Sequence, residues 1–291
     1  MKKSKLSMRA RYYMEGYSFI SLWLTGFLLF MAIPLGRSLY YSFHQLQVSQ
    51  TGLTATFVGT DHYRAAFTTD VNFLPLLKNT MVSMLSQVPL ILIFSLFCAI
   101  LLNRKLVGKT FFRGIFFLPV IIASGAILSK LMDQGAANLP IFNNENLASK
   151  LSAFIPGDLL EPLLKYAESL TLVMWDSGVQ ILIFLAGLQT ISVTLYEAAK
   201  CDGATAWESF WKITFPMIMP MTLVNTLFSI VSSFTKADNQ MMTHILNVVF
   251  KSNDFGYGSA MGWIYFVLIF LILGLVFLLF RNSLRSTEGR K

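Results

Sequence analysis

Residues 255–280 read FGYGSAMGWIYFVLIFLILGLVFLLF, a run of 26 residues that contains no Asp, Glu, Lys or Arg. About 20 mostly apolar residues are enough for an α-helix to cross the hydrocarbon core of a bilayer. The rest of the chain shares this character, because only 13% of its 291 residues are charged, whereas soluble domains have roughly 25%. The composition therefore predicts a membrane protein, and it argues against a cytosolic enzyme, a secreted domain or a nucleic-acid-binding module.

Five more stretches of low charge predict further spans, so the expected fold class is an all-α polytopic membrane protein with six transmembrane helices. The spans are expected at residues 16–42, 79–103, 110–132, 170–190, 215–235 and 257–280. Residues 1–15 are basic and resemble the start of a signal peptide, but no small-residue cleavage site follows them. We therefore expect a retained N-terminal segment, 1–15, and one transmembrane domain over 16–291.

The distribution of charge over the connecting loops predicts the orientation of these spans. Fifteen of the 23 Lys and Arg residues fall in the N-terminus, the second and fourth loops and the C-terminus, whereas the other loops hold eight. The 15 acidic residues divide in the opposite way, five against ten, so the net charge of +8 consists of +10 on one side and −2 on the other. Because loops rich in Lys and Arg stay in the cytoplasm, both termini are predicted to be cytoplasmic. The positive charge thus indicates orientation, and no nucleic-acid partner is expected.

No catalytic or nucleotide-binding motif is found in the sequence. The chain lacks a G-x-x-x-x-G-K-[ST] loop, the pattern with which many proteins bind nucleoside triphosphates. His44, His62 and His244 are all expected on the outer side and far apart, so no shared metal site is predicted. Cys98 lies in an apolar run and Cys201 in a polar loop, so we expect no disulfide between them. No catalytic residue, metal ligand or cofactor is therefore assigned to this chain.

The loop 191–216, between the fourth and fifth predicted spans, carries the most specific local pattern. The stretches Thr194–Glu197 and Thr205–Glu208 both have the spacing of a capping box. Gly203 lies between the two predicted helices, where a positive φ ends the first helix at little steric cost. An apolar stripe is expected to anchor the second helix to the spans, and it consists of Trp207, Phe210, Trp211 and Thr214. From these residues alone, an ordinary amphipathic connector remains as good an interpretation as a docking hairpin.

Seven positions in this loop also form a longer pattern. They are Glu197, Ala198 and Ala199, then Asp202 and Gly203, and finally Ile213 and Pro216. This spacing resembles the EAA loop of binding-protein-dependent ABC importers, in which E-A-A, three residues, G, nine residues, I, one residue and L-P follow one another. Phe215 is the departure within the pattern, because Leu is usual there.

The resemblance extends over most of the chain and narrows the family to carbohydrate importers of the maltose and glycerol-phosphate type. The similar segments are Phe57–Gly59, Tyr63–Arg64, Asn79–Thr80, Phe116–Pro119, Ala186–Gln189 and Gly256–Met261. Pro34 with Ser42 and Phe43 resembles the first, "F-like", of the two paired permease subunits. His62 departs from the family pattern, since Asn is usual at that position.

This resemblance implies a type I ABC importer permease of the MetI-like fold, which forms half of a translocation path for an oligosaccharide or a related solute. It implies a second permease subunit, two ATPase subunits that bind ATP and Mg, and an external solute-binding protein, all at a bacterial cytoplasmic membrane. The loop 191–216 would dock into a cleft of the ATPase as a coupling helix. Glu197 would make a charged contact there, the two alanines would allow close approach, and Gly203 would set the turn.

Polar residues within two predicted spans are candidates for the solute path, because polar groups at bilayer depth are costly and usually functional. The candidates are Trp175 and Gln180 in the fourth span and Asn225, Phe228, Ser229 and Ser232 in the fifth. Amides, hydroxyls and aromatic rings suit a sugar. The same residue types also serve as packing contacts between membrane helices. Asp176 is the charged residue nearest to the bilayer interior, at the outer edge of the fourth span.

Two other functions remain open at this point. An ABC permease of the same fold can carry a solute that is not a sugar. A secondary transporter or channel would work without ATP, but such proteins often have ionisable residues in mid-membrane and inverted repeats. Neither feature is evident in this sequence.

Overall fold

The computed structural model describes residues 8–49, 52–104, 114, 173–174, 176–236 and 239–288. Ten α-helices, two β-strands and two π-helical turns are found in these residues. Before the long gap they are α1 (Met8–Phe27), a π-turn (Leu28–Ala32), α2 (Ile33–Ser42), β1 (His44–Ser49), β2 (Gly52–Phe57), α3 (Asp61–Thr68) and α4 (Phe73–Asn103). After it they are α5 (Gly178–Gln189), α6 (Val193–Cys201), α7 (Ala206–Ser209), a second π-turn (Phe210–Thr214), α8 (Phe215–Thr235), α9 (Gln240–Phe250) and α10 (Phe255–Glu288).

Four helical segments in the described residues are long and apolar enough to cross a membrane. They are Tyr12–Ser42, Phe73–Asn103, Ala206–Thr235 and Phe255–Arg281, and they contain the whole of the spans predicted at 16–42, 79–103, 215–235 and 257–280. A fifth is possible if α5 and α6, which are bent by 63° from each other, count as one broken span. The span predicted at 110–132 lies outside the described residues except for Gly114, so the number six stays a prediction.

The segment between α2 and α3 corrects the all-α prediction. Strands β1 and β2 pair antiparallel, with His44 opposite Phe57 and Ser49 opposite Gly52. Alternation of polar and apolar residues, as in His44–Val48, is typical of a strand with one covered face, and Leu46 is accordingly buried. A membrane helix was not possible here, since this segment is too polar. The hairpin is therefore a local exception in a helical protein.

The described residues form two compact units, and each unit has its own packing. One contains the described residues up to Leu74 together with His244–Val267, and the other contains those of Pro75–Thr243 and those from Leu268 onward. The division of the chain into segment 1–15 and a single domain over 16–291 stays a prediction.

The second unit has an apolar core between α4, α5 and α8. Its fully or nearly fully buried members are Cys98, Ala99, Leu102, Ile181, Phe184, Leu185, Leu188, Ile191 and Ile218. Gly187 allows α5 and α8 to approach closely, because a Cβ at that position would collide with the Met221 side chain. Small residues have this role at many contacts between membrane helices. This core holds the loop 191–216 at the end of α5, so it positions the first candidate site.

Candidate functional site

The first helix of the loop 191–216, hereafter the coupling loop, begins earlier than predicted. Ser192 is its N-cap: the Ser192 side chain accepts a hydrogen bond from the backbone N–H of Thr194 at 3.3 Å, and the two hydroxyl oxygens are 2.7 Å apart. The prediction that Thr194 caps this helix with Glu197 is therefore wrong. Ser is as good a cap as Thr, and its extended backbone (ψ 134°) lets α6 start directly after the buried Ile191.

This change leaves the Glu197 carboxylate exposed, with no hydrogen bond or ion pair to any residue that the structure describes. Ala198, on the same helix, is exposed as well, and Ala199 is half-buried. An unpaired acid beside small residues gives this helix a surface that another protein can approach closely. The role of these residues in docking to an ATPase stays a prediction.

The turn after α6 requires a glycine. Gly203 has φ +77°, and its N–H donates to the carbonyl of Lys200 at 3.1 Å, while the N–H of Ala204 donates to Ala199 at 2.9 Å. A Cβ at Gly203 would meet no atom within 4 Å. The constraint is therefore the positive φ and not a lack of space. Asp202, just before it, is exposed.

The second capping box is confirmed. The Thr205 hydroxyl accepts from the Glu208 N–H at 3.2 Å, and Glu208 Oε2 accepts from the Thr205 N–H at 2.9 Å. This reciprocal pair satisfies two of the free N–H groups at the start of the helix. Lys212 lies 3.8 Å from Glu208 Oε1, one turn further on.

The predicted aromatic stripe anchors the second helix only in part. Thr214 is buried, and its hydroxyl lies 2.8 Å from the Tyr196 hydroxyl, which joins α6 to the π-turn Phe210–Thr214. Trp207 and Trp211 instead remain 69% and 46% exposed and contact each other edge to face. Ile213 and Pro216 are half-buried. The contact between Thr214 and Tyr196 thus fixes one part of the loop, whereas the side with Trp207 and Trp211 is exposed.

The residues predicted for the solute path divide into two groups. Gln180 Nε2 donates to Ser229 Oγ at 2.9 Å, and Asn225 Nδ2 donates to the Gln180 backbone carbonyl at 3.2 Å. All three residues are buried between α5 and α8, and the side-chain oxygens of Gln180 and Asn225 have no partner in the described part of the chain. Phe228 is 42% exposed, and Ser232 is half-buried. Trp175 lies outside the described residues, so its role stays a prediction.

Asp176 forms an ion pair with Lys236. Lys236 follows the last residue of α8, and Asp176 precedes α5, so the pair joins one end of the two helices that Gln180 and Asn225 also connect. Both side chains are 23% exposed. The ion pair with Lys236 explains why the charge of Asp176 is tolerated at the edge of a span.

A second polar site, hereafter the Asp70 cluster, lies in the other unit and was not predicted. Asp70 Oδ2 accepts hydrogen bonds from His244 Nε2 and from the Tyr257 hydroxyl, each at 2.9 Å. Asp70 Oδ1 accepts from the backbone N–H groups of Asn72 at 2.9 Å and Phe73 at 3.1 Å. The cluster therefore joins the start of α4 to α9 and α10 of the same chain.

Electrostatics in the Asp70 cluster favour the ionised carboxylate. Partial burial raises the pKa of Asp70, but the hydrogen bonds from His244, Tyr257 and the Asn72 N–H outweigh burial and hold its pKa below the usual value. An ionised carboxylate accepts hydrogen bonds and cannot donate them. His244 Nε2 must consequently carry the proton that lies between the two side chains.

Close backbone packing surrounds this cluster in the same unit. A Cβ at Gly256 would collide with the His44 carbonyl oxygen and would lie 2.8 Å from His62 Nε2. His62 Nε2 is itself 3.3 Å from the His44 carbonyl oxygen, so the expectation that the histidines lie far apart is wrong for this pair. Within the described ranges, no group of three His, Cys, Asp or Glu side chains could hold a metal ion.

The Asp70 cluster was hard to predict from the sequence, because the partners of Asp70 are 174 and 187 residues away along the chain. One local signal was available. Asp70 lies three residues before the first residue of α4, and Asp is common near the start of a helix, where its side chain accepts from free backbone N–H groups. Tyr257 and Gly256 did belong to a segment singled out by its resemblance to sugar permeases.

Comparison with known proteins identifies the family of this chain. Residues 73–286 match the model of the binding-protein-dependent transport system inner membrane component. The chain belongs to this family and is thus a multi-pass membrane subunit of the permease type, without catalytic activity of its own.

Individual relatives agree with this assignment. The chain is 33% identical to the "Probable ABC transporter permease protein YesP" of Bacillus subtilis, over 95% of this chain and 93% of the relative. It is 29% identical to the "Multiple sugar-binding transport system permease protein MsmF" of Streptococcus mutans, over 90% and 92%. A bacterial ABC transporter involved in the import of the acidic polysaccharide alginate has a similar fold, with a TM-score of 0.63, 17% identity and coverage of 94% and 96%. The fold is accordingly that of ABC importer permeases of the MetI-like kind.

Proposed function

We propose that this chain is one of two permease subunits of an ATP-driven carbohydrate importer in a bacterial cytoplasmic membrane. The family supports the role of permease. A relative named for multiple sugars, with nearly full coverage of both chains, supports a carbohydrate as the solute. The segments that resemble sugar permeases, such as Tyr63–Arg64 and Gly256–Met261, support the same class of solute. Within this class, an oligosaccharide or a related solute is the expected cargo.

The proposed topology has six spans with both termini in the cytoplasm. Four described segments with the length and composition of spans support the count, and the loops rich in Lys and Arg support the orientation. In this arrangement the coupling loop is cytoplasmic, whereas the Asp70 cluster lies on the outer side. The subunit is of the "F-like" kind, as Pro34 with Ser42 and Phe43 suggest by resemblance.

The observation that carries the proposal is the geometry of the coupling loop. Its turn at Gly203 has a positive φ, and its first helix presents Glu197 exposed and without a partner in the described residues. Because the chain has no nucleotide-binding motif, the energy for transport must come from another subunit. The proposed partner is a pair of ATPase subunits that bind ATP and Mg, with Glu197, Ala198, Ala199, Asp202, Gly203, Ile213 and Pro216 forming or supporting the contact.

Two further partners complete the proposed importer. A second permease subunit would supply the other half of the solute path, and an external solute-binding protein would deliver the carbohydrate. On this chain, Gln180, Asn225 and Ser229 form a buried polar contact between α5 and α8, and the side-chain oxygens of Gln180 and Asn225 have no partner in the described residues. Because both oxygens are buried, they would meet a solute only when α5 and α8 move apart during transport. Trp175, Phe228 and Ser232 remain weaker candidates for the same role.

Reconstitution tests the proposal. The chain is co-expressed with a partner permease, an ATPase and a binding protein encoded beside it, and the uptake of labelled oligosaccharides into proteoliposomes is measured with and without ATP. We expect uptake to require all four proteins and ATP. Uptake by the chain alone without ATP would show a secondary transporter, and a binding protein that retains only non-sugar solutes would show a permease for a different cargo.

A further inference from the structure

A groove at the base of the coupling loop is not used by the proposed function. It has a volume of about 530 Å³ and lies between the end of α4, the end of α5 and the two helices of the loop. Arg104 and Lys200 are exposed lining residues, and Tyr196 and Phe210 are half-buried ones. We call it the Lys200 groove.

The charge of the Lys200 groove is entirely positive. Its lining includes Arg104 and Lys200 but none of the acids of the coupling loop. Neither cation forms an ion pair with a residue in the described ranges, whereas the neighbouring Lys212 is paired with Glu208. Two uncompensated cations in one concave site attract an anionic group.

The ends of two span candidates line the Lys200 groove. The span candidate Phe73–Asn103 ends at its lining residue Asn103, and the span candidate Ala206–Thr235 begins at its lining residue Ala206. Trp207, which lines the groove, is 69% exposed. Exposed indole rings are enriched at the level of lipid headgroups.

We propose that the Lys200 groove binds the headgroup of an anionic phospholipid. The phosphate lies between Arg104 and Lys200, and the glycerol region contacts the rings of Tyr196, Trp207 and Phe210. Basic pockets between transmembrane helices bind such headgroups in other membrane proteins. The apolar side chains in the lining, among them Ile100 and Leu188, favour a lipid over a soluble anion. This inference requires that α4 and α8 cross the bilayer, and it does not depend on the solute or on the ATPase.

The test measures lipid binding by the full-length chain, purified in detergent, with native mass spectrometry. Phosphatidylglycerol and phosphatidylcholine with the same acyl chains are compared, and the variant is Arg104→Gln with Lys200→Gln. We expect phosphatidylglycerol to bind in preference to phosphatidylcholine, and the double variant to bind it about 30-fold more weakly, since each cation near a headgroup contributes about fivefold.

A matched control removes the same two charge types outside the groove. Lys212→Gln with Arg281→Gln should bind phosphatidylglycerol like the unchanged chain, because neither residue lines the groove. An equal loss of phosphatidylglycerol binding in the control and the groove variant would show that the lipid is attracted by the whole charged surface, and this would overturn the proposal. Unchanged binding in both would also overturn it.

Two further arms distinguish the source of the anion and guard against misfolding. Inorganic phosphate and glycerol phosphate at the concentration of the lipid should not displace phosphatidylglycerol, and displacement would show a site for soluble anions instead. The charge-preserving variant Arg104→Lys with Lys200→Arg should recover most of the binding. If the double Gln variant does not remain monodisperse, Lys200→Gln alone, at an exposed site, should still weaken binding about fivefold, and no change there would contradict the proposal.

Discussion

The coupling loop and the Asp70 cluster use acidic side chains in opposite ways. Glu197 in the loop is exposed and has no partner in the described part of the chain. Asp70 in the cluster is 12% exposed and accepts four hydrogen bonds from His244, Tyr257 and two backbone N–H groups. A carboxylate that is fully used within the chain holds the fold together. A carboxylate that is exposed on a helix and has no partner in the described residues is available to another protein.

The largest effect on stability is expected from Asp70→Ala. The substitution removes four accepted hydrogen bonds and leaves His244 and Tyr257 without their shared partner. We expect a loss of about 3 kcal/mol in the free energy of unfolding, measured by denaturant unfolding of the purified chain in detergent micelles.

Asp61→Ala is the control for this change. Asp61 is an exposed acid in the first turn of α3, in the same unit, and its removal should change the free energy of unfolding by less than about 0.5 kcal/mol. Equal effects of the two substitutions would mean that the Asp70 cluster does not hold this unit together.

A smaller effect is expected from Gly203→Ala in the coupling loop. Alanine at φ +77° costs about 1 kcal/mol locally, and the affinity for the ATPase should fall about fivefold if this strain opposes docking. The measurement is co-purification of the ATPase with the complex at several concentrations.

Gly262→Ala provides the comparison. Gly262 lies within α10, and a Cβ there would meet no atom within 4 Å. Alanine in a helix at an open position is tolerated. Loss of ATPase binding in this variant to the same extent would show a general effect of glycine replacement and not one of the Gly203 turn.

The smallest effect on the free energy of unfolding is expected from a change in pH. Because the pKa of Asp70 in the folded chain is below its usual value of 3.8, the group stabilises the fold above that pH, and this contribution is lost as the pH falls through the folded pKa. Unfolding experiments from pH 7 to pH 3 should show a constant difference between the unchanged chain and Asp70→Ala near neutrality, which narrows at the acidic end. The loss is partial, since a protonated carboxyl still accepts hydrogen bonds. A difference that widens in acid would contradict the assignment of the ionised form.

Local patterns in the sequence predicted the parts of this protein that depend on neighbouring residues. The fifth span, 215–235, coincides with α8, and the box at Thr205–Glu208 and the turn at Gly203 form as their residue types require. The prediction that Thr194 caps α6 was wrong. Ser192 and Thr194 are both good caps, and the buried Ile191 favours the earlier start at Ser192.

Features that depend on distant residues were not predictable in this way. The β1–β2 hairpin lies in a segment that hydropathy identified only as polar. The Asp70 cluster joins residues that are far apart along the chain, and periodicity or spacing gives no information about such pairs. The contact between Gln180 and Asn225 is another example, because these two solute-path candidates come together only through the packing of α5 on α8.

We propose that the exposed Glu197 couples this permease to an ATPase and contributes nothing to the fold of its own chain. The most direct test is Glu197→Lys, with the free energy of unfolding of the purified chain and the solute-stimulated ATP hydrolysis of the reconstituted complex both measured. We expect the free energy of unfolding to change by less than about 0.5 kcal/mol, as for other exposed positions. The rate of solute-stimulated ATP hydrolysis should fall at least about tenfold. Unchanged hydrolysis, or a large loss of stability in the chain alone, would contradict the claim.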